Sequence, residues 1–251
     1  MLNIGGNGPL TWLDDTVGDG FDALRYLSRS SSDASLNGQD WKEPGGKLSS
    51  KRWYPSAQIL GDGRIFVASG SLNGLDPSKP ANNNPTYEIL SATGISEGNS
   101  IKMAILEGNQ PYFMYPFMHL LKDGNIYIFT AKASQIFSAS SNTVVKDMPS
   151  LAGLFRTYPN TGGSVLLPLS SADGWESKIM ICGGGAYQVS HTLSLSPFLL
   201  ITWKGHHFSH RCVLWSDFSR GSQSQLGHGF HARGPCLGGR TPASRWKGFV
   251  D

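Results

Sequence analysis

The stretch RWYPSAQILGDGRIFVASGS, residues 52–71, decides the fold class of this chain. It contains an apolar run, the dipeptide Asp62-Gly63 and a second run rich in β-branched and aromatic residues. Asp-Gly tolerates the positive φ angles that a two-residue hairpin turn demands, so the stretch predicts two antiparallel strands joined by a tight turn. Tyr54 stands at the entrance of the first strand, eight residues before Asp62.

The same spacing recurs further along the chain. MYPFMHLLKDGNIYIFTAKAS places Tyr115 eight residues before Asp123, and a looser third copy with a longer turn begins at Tyr158. The intervals between the three tyrosines are 61 and 43 residues. Hairpin units that recur at such intervals predict the blades of a β-propeller, whose small sheets cover their faces by stacking on one another.

Three apolar runs end in glycines. They are LNIGGNG near the N-terminus, VASGS at the end of the first repeat and MICGGG at the end of the third. Such glycines suit an inner strand that turns sharply near a central channel. We therefore predict an all-β fold, a partial kelch-like β-propeller, over residues 1–188. A β-sandwich with regular hairpins is the alternative.

Composition argues against several classes of function. The net charge of +3 is too small to indicate nucleic acid or an anionic membrane as a partner. The 31 glycines and 14 prolines suit a turn-rich β protein. The sequence contains no run of eighteen apolar residues, so it predicts no transmembrane helix. The segment MLNIGGNGPLTW lacks the layout of a secretory signal peptide.

The chain changes character at Val189. Residues 189–251 show neither strand alternation nor helical periodicity, and they contain six of the seven histidines. Val189-Ser190 is also what an intron-donor sequence would encode if it were read in frame. We therefore predict an irregular, unpatterned C-terminal tail made of retained intron and frame-shifted sequence. A genuine but divergent tail is the alternative.

Several long motifs, in the same order, carry a family resemblance. They are GGNGPLTWLDDTVGDGFDALRYL, RWYPSAQILGDGRIFVASGSLNG, ANNNPTYEI, YPFMHLLKDGNIYIF and RTYPNTGGSVLLPL. Over roughly residues 2–188 the chain resembles the glyoxal oxidase branch of the copper radical oxidases, with galactose oxidase as a more distant relative. The resemblance implies a secreted enzyme that oxidises small aldehydes to carboxylic acids while it reduces O₂ to H₂O₂. It also implies copper near the propeller axis, held by two tyrosines and two histidines.

The resemblance carries only one site residue onto this sequence. Tyr54 matches the family's radical tyrosine, a copper ligand that is cross-linked to a cysteine. No cysteine precedes Cys182, and the family's other ligands have no match here. We therefore expect a fragment of such an oxidase that by itself binds no copper and is inactive. A non-catalytic kelch-type binding module is the alternative function, and a mis-predicted gene model is a third interpretation.

Other residues that could carry chemistry have plainer interpretations. We expect Tyr115 and Tyr158 to be packing residues between blades, and His119, which has apolar neighbours, to be a satisfied interface histidine. Cys182 is expected to be a buried, inert thiol. Asp14 lies near turn glycines, so it is expected to form a turn rather than to act as an acid or base.

Overall fold

The computed structural model describes residues 1–43, 45–160 and 162–185, and the backbone of Val213–Trp215. Within these residues the protein consists of antiparallel β-strands with one short helix, α1 (Ala104–Glu107), and three single-turn 3-10 helices. This confirms the predicted all-β class. The predicted boundary at residue 188 and the predicted tail lie outside the described residues, apart from the backbone of Val213–Trp215.

Four antiparallel sheets follow one another along the chain. The first pairs two short strands, β1 (Leu2–Ile4) and β2 (Leu24–Tyr26). The second and third are four-stranded meanders, and the fourth is a three-stranded meander. Their strands, in chain order, are β3 (Ser56–Ile59), β4 (Ile65–Ala68), β5 (Thr86–Leu90) and β6 (Ile101–Lys102); β7 (Phe117–Leu120), β8 (Ile126–Thr130), β9 (Ala133–Ser138) and β10 (Thr143–Met148); and β11 (Gly162–Leu166), β12 (Ile179–Gly183) and β13 (Val213–Trp215).

The hairpin turns of the second and third sheets share one geometry. In the second sheet the Leu60 N–H donates to the Arg64 carbonyl oxygen at 2.8 Å, and Asp62 Oδ1 accepts the Arg64 N–H at 3.0 Å. Gly63 has φ +86° and its equivalent Gly124 has φ +84°, but neither aspartate has a positive φ. The hairpins are therefore as predicted, whereas the expected two-residue turn is wrong. Each loop has three residues and ends in a left-handed glycine.

The sheets stack face to face in chain order, because their central strands are buried on both sides. Ile126 of β8 packs in a cluster with Phe66 of β4, whereas the next residue, Tyr127, packs in a second cluster with Ile179 of β12. A third cluster joins the first and second sheets in the same way. Since successive residues of a strand point to opposite faces, one apolar strand contributes to two cores.

The first strands of successive sheets lie beside one another. β7 contacts β3 on one side and β11 on the other, although each of the three is an edge strand of its own sheet. Stacked sheets that fan out from their first strands form a partial β-propeller, as predicted, and the two-layer sandwich is wrong. The kelch subclass stays a prediction. Among the described residues, no helix is long and apolar enough to span a membrane.

A buried ion pair anchors the segment that leads into β3. Arg52 is fully buried, and its Nε donates to Glu88 Oε1 of β5 at 2.8 Å. Its remaining N–H groups donate to the carbonyl oxygens of Ser69 and Thr86 and to the hydroxyls of Thr86 and Ser100. All five guanidinium donors are thus satisfied. Burial lowers the pKa of Arg52, and the contact with Glu88 opposes that shift.

Replacing Glu88 by glutamine should therefore destabilise the fold strongly. The Glu88 side chain is 1% exposed, so Glu88→Gln leaves the Arg52 charge buried without a counter-ion. We expect the free energy of unfolding in urea to fall by about 3 kcal/mol or more. The matched control is Glu176→Gln. Glu176 pairs with Lys122 and is more exposed than Glu88, so its loss should cost less than about 1 kcal/mol. Equal losses in the two variants would contradict a stabilising role for the buried pair.

Candidate functional site

Tyr54, Tyr115 and Tyr158, which occupy the same place in three repeats, meet at one place in the structure. Each precedes the first strand of its sheet, and these first strands lie side by side. The ring of Tyr115 stacks on that of Tyr54, with centroids 4.7 Å apart and an interplanar angle of 22°. Tyr158 approaches Tyr54 edge-on, at 5.0 Å and 73°. The repeat therefore places three phenols in one cluster, which we call the tyrosine cluster.

Trp53 stacks on Tyr54 as well. Its ring centroid lies 3.5 Å from that of Tyr54, and the two planes differ by 17°. The rings of Trp53 and Tyr115 are both nearly parallel to the Tyr54 ring. Two rings cannot stack on the same face, so the Tyr54 ring is sandwiched between them. Sequence reasoning missed Trp53 as a site residue. The signal for it was the aromatic pair Trp53-Tyr54 ahead of a strand.

The backbone holds this sandwich in a strained conformation. Tyr54 has φ +63° and Tyr115 has φ +50°, a left-handed region that costs a non-glycine residue about 1–3 kcal/mol. Trp53 and Ser71 exchange two backbone hydrogen bonds, of 2.8 and 2.7 Å, and the Tyr115 N–H donates to the Tyr54 carbonyl oxygen at 3.3 Å. The surrounding hydrogen bonds thus fix where the Tyr54 ring lies.

Glycines allow the Arg-x-Tyr-Pro segments to pack closely against the ends of β4 and β12. Gly70 has φ +119°, and a Cβ built on it would lie 3.0 Å from Arg52 Cα. Gly184 has φ +104°, and its Cβ would lie 2.9 Å from Arg156 Cγ. This confirms the sharp turns that the glycine-rich strand ends predict. The contact between a glycine and an arginine therefore helps to position Tyr54 in the first repeat and Tyr158 in the third.

Polar side chains tie the segment before β7 to the sheets on both sides of it. The Ser69 hydroxyl donates to the Phe113 carbonyl oxygen at 3.0 Å. On the other side, the Thr157 hydroxyl donates to the Tyr112 carbonyl oxygen at 2.6 Å and accepts the Ala131 N–H at 2.8 Å. These bonds cross between sheets next to the tyrosine cluster, so the positions of its rings depend on how the sheets dock.

The phenols differ in their exposure to solvent. Tyr115 is 43% exposed, whereas Tyr54 and Tyr158 are half-buried. Burial and the neighbouring phenols Tyr54 and Tyr158 raise the pKa of Tyr115. Burial and Tyr54 likewise raise the pKa of Tyr158. Both hydroxyls therefore stay protonated at neutral pH. The expectation that the two residues pack between blades is confirmed. Tyr158 packs against the core cluster between the second and third sheets, and Tyr115, although exposed, stacks on Tyr54 of the neighbouring repeat.

The described residues do not by themselves make a copper site. Within residues 1–43, 45–160 and 162–185, no three His, Cys, Asp or Glu side chains are grouped so that they could hold a metal ion. The tyrosine cluster offers phenol oxygens only, whereas Cu(II) is well bound by several ligands that include imidazole. Cys182 is disulfide-bonded, so the expected inert thiol is wrong.

His119 and Asp14 have the structural roles expected of them. His119 Nε2 lies 2.8 Å from the Ser164 hydroxyl, a hydrogen bond that joins β7 to β11. Burial lowers the pKa of His119. Asp14 Oδ1 accepts hydrogen bonds from the backbone N–H and the hydroxyl of Thr16, at 2.9 and 2.7 Å, and so closes a turn.

Comparison with known proteins gives one family and several relatives. A family model described as glyoxal oxidase N-terminus matches residues 11–199. Aldehyde oxidase GLOX of Vitis pseudoreticulata is 31% identical over 152 residues, which are 59% of this chain and 26% of that protein. Aldehyde oxidase GLOX1 of Arabidopsis thaliana is 29% identical over 175 residues, 66% of this chain and 25% of that protein. A WSC domain-containing protein of Arthroderma benhamiae is 29% identical over 170 residues, 63% of this chain and 17% of that protein. The chain spans about a quarter of the length of the two aldehyde oxidases.

The lowered pKa of His119 makes the stability of the fold depend on pH. Because the folded-state pKa lies below the ordinary value of about 6.5, the neutral form is favoured in the folded state. Its contribution is fully present above pH 6.5 and is lost as the pH falls through the folded-state pKa. We expect His119→Gln, which keeps a hydrogen-bonding side chain but does not titrate, to lose less stability than the parent between pH 7 and pH 5. Urea midpoints at the two pH values measure this, and identical pH dependence in both proteins would contradict it.

Proposed function

This chain belongs to the glyoxal oxidase N-terminal family, and we propose that it is the propeller portion of a secreted copper radical oxidase that acts on small aldehydes. In the proposed reaction an aldehyde, water and O₂ give a carboxylic acid and H₂O₂. The aldehyde carbon loses two electrons and O₂ gains two, so the electrons balance. The names of the two plant relatives support an aldehyde as the substrate.

The observation that carries this proposal is the Tyr54 sandwich. Tyr54 matches the radical position of the family, and it is also the ring that Trp53, Tyr115 and Tyr158 surround. A phenol that releases one electron and its proton leaves an unpaired electron spread over the ring. Parallel aromatic neighbours in contact stabilise such a ring by stacking and by excluding water. The rigid backbone around Tyr54 keeps this arrangement fixed.

Within this proposal Tyr54 has two roles, as the radical residue and as one copper ligand. Among the described residues, no three His, Cys, Asp or Glu side chains are grouped so that they could hold a metal ion, so we propose that the remaining ligands come from other parts of the whole protein. The chain described here, when isolated, is accordingly proposed to bind no copper through this cluster and to be inactive. The protein's share of such chemistry is to hold the ligands and to tune the redox partner.

The whole polypeptide can be identified from its transcript. We propose that residues 1–188 are propeller and that residues 189–251, although Val213–Trp215 pairs with β12, come from a retained intron and shifted frame. Sequencing the transcript across the codons for Met1 and Gln188 tests this proposal. A message with an upstream cysteine and a downstream Tyr-His motif supports it, whereas a message that matches residues 1–251 from end to end favours the kelch-type binding module.

The assay that tests the function uses the polypeptide encoded by that transcript, expressed with copper. We expect H₂O₂ release on addition of methylglyoxal. Tyr54→Phe should reduce it to the uncatalysed background, because phenylalanine keeps the stacked ring but can neither ligate copper nor form a phenoxyl radical.

Tyr158→Phe is the matched control for that assay, since it removes a phenol from the same cluster at a position with no proposed ligand role. It should retain most of the activity. The proposal fails if Tyr54→Phe keeps the parental rate, or if the parental polypeptide releases no H₂O₂ from any small aldehyde.

A further inference from the structure

Tyr115 is the outermost member of the tyrosine cluster. Among the tyrosines that the structure describes, Tyr115 alone is exposed, and the others are buried or half-buried. One face of its ring lies against Tyr54, with the centroids 4.7 Å apart. Tyr115 is therefore the most exposed tyrosine of the cluster.

Tyr54 is half-buried, and two further rings contact it. Trp53 stacks on it at 3.5 Å and Tyr158 approaches its ring edge-on at 5.0 Å. The remaining face is the one that Tyr115 covers. The Tyr115 N–H also donates to the Tyr54 carbonyl oxygen, so the two residues are held together by backbone as well as by ring contact. An electron can pass between rings in van der Waals contact without crossing intervening protein.

We propose that Tyr115 is the access point through which an outer-sphere one-electron oxidant generates the radical at Tyr54. This inference rests on the proposed function, because it assigns the route by which that radical forms. An oxidant of this class, such as a substitution-inert metal complex, accepts an electron without entering the cluster. The residue that it reaches must then be both exposed and in contact with Tyr54, and Tyr115 is the described tyrosine with both properties.

The steps balance in atoms and electrons. The oxidant removes one electron from the Tyr115 phenol, and the phenolic proton passes to water. The Tyr115 phenoxyl then takes one electron and one proton from the Tyr54 phenol. Tyr115 is restored, and the unpaired electron remains on Tyr54. The net change is the loss of one electron and one proton from Tyr54 and the reduction of the oxidant by one electron.

The surroundings of the two rings give this transfer its direction. Tyr54 has an aromatic ring against each face, whereas Tyr115 stacks on Tyr54 and is 43% exposed. Stacking on both faces stabilises an oxidised ring more than stacking on one.

The experiment uses the full 251-residue chain, mixed with hexachloroiridate(IV), frozen at set times and examined for a tyrosyl radical by EPR. The parent and three variants are compared: Tyr115→Phe, Tyr54→Phe and, as the control, Tyr158→Phe. Each variant keeps its aromatic ring, and near-UV circular dichroism checks that packing is retained. Exposed tryptophans such as Trp12 consume oxidant in every variant alike and do not affect the comparison.

We expect Tyr115→Phe to slow the appearance of the tyrosyl signal about tenfold without changing its final line shape, and Tyr158→Phe to leave the rate within about twofold of the parent. Tyr54→Phe should remove or reshape the signal, since the radical loses its final position. If Tyr115→Phe forms the signal at the parental rate while Tyr54→Phe abolishes it, the access route is wrong and the radical position stands. If Tyr54→Phe leaves the parental signal, or the parent gives no tyrosyl signal, the radical assignment and the route both fail.

Discussion

The structure depends on the burial of Arg52. Its guanidinium is paired with Glu88 on β5, its backbone lies against Gly70 at the end of β4, and its carbonyl oxygen lies against Gly5 at the end of β1. One residue therefore fixes the first sheet to the second and also sets the start of the segment that carries Trp53 and Tyr54. A charge without solvent is stable only when every donor has a partner, so this part of the chain has essentially one arrangement available to it.

The regular repeat explains why the cluster lies where it does. In a stack of sheets that share a row of first strands, equivalent positions of successive repeats become neighbours. A tyrosine placed before each first strand is thereby brought to the same place, although the three residues are separated by 61 and 43 positions in the chain. The cross-sheet bonds of Ser69 and Thr157 then set the distances between the rings.

Much of the fold could be predicted because its signals are local. The Asp-Gly hairpins, the glycine-rich strand ends and the Tyr54 position follow from short motifs and their spacing. Three features could not be predicted, since they depend on contacts between distant residues. The stacking of rings on Tyr54 depends on the angle between two sheets, and the exposure of Tyr115 depends on the position of the third sheet. The disulfide at Cys182 requires a partner that cysteine spacing does not identify. Loop length was missed for a different reason, because Asp-Gly fits both two- and three-residue turns.

The composition of the tyrosine cluster has a consequence for biosynthesis. Each of its phenols belongs to a different repeat, and no two of them lie within a single hairpin. While the polypeptide is being made, Tyr54 emerges long before Tyr115, and these two rings cannot stack on each other until their sheets have docked. The Tyr54 ring therefore acquires its contacts with the other two tyrosines only when the sheets have assembled. A nascent or misassembled chain has no such cluster, so the aromatic environment of Tyr54 exists only in the folded molecule.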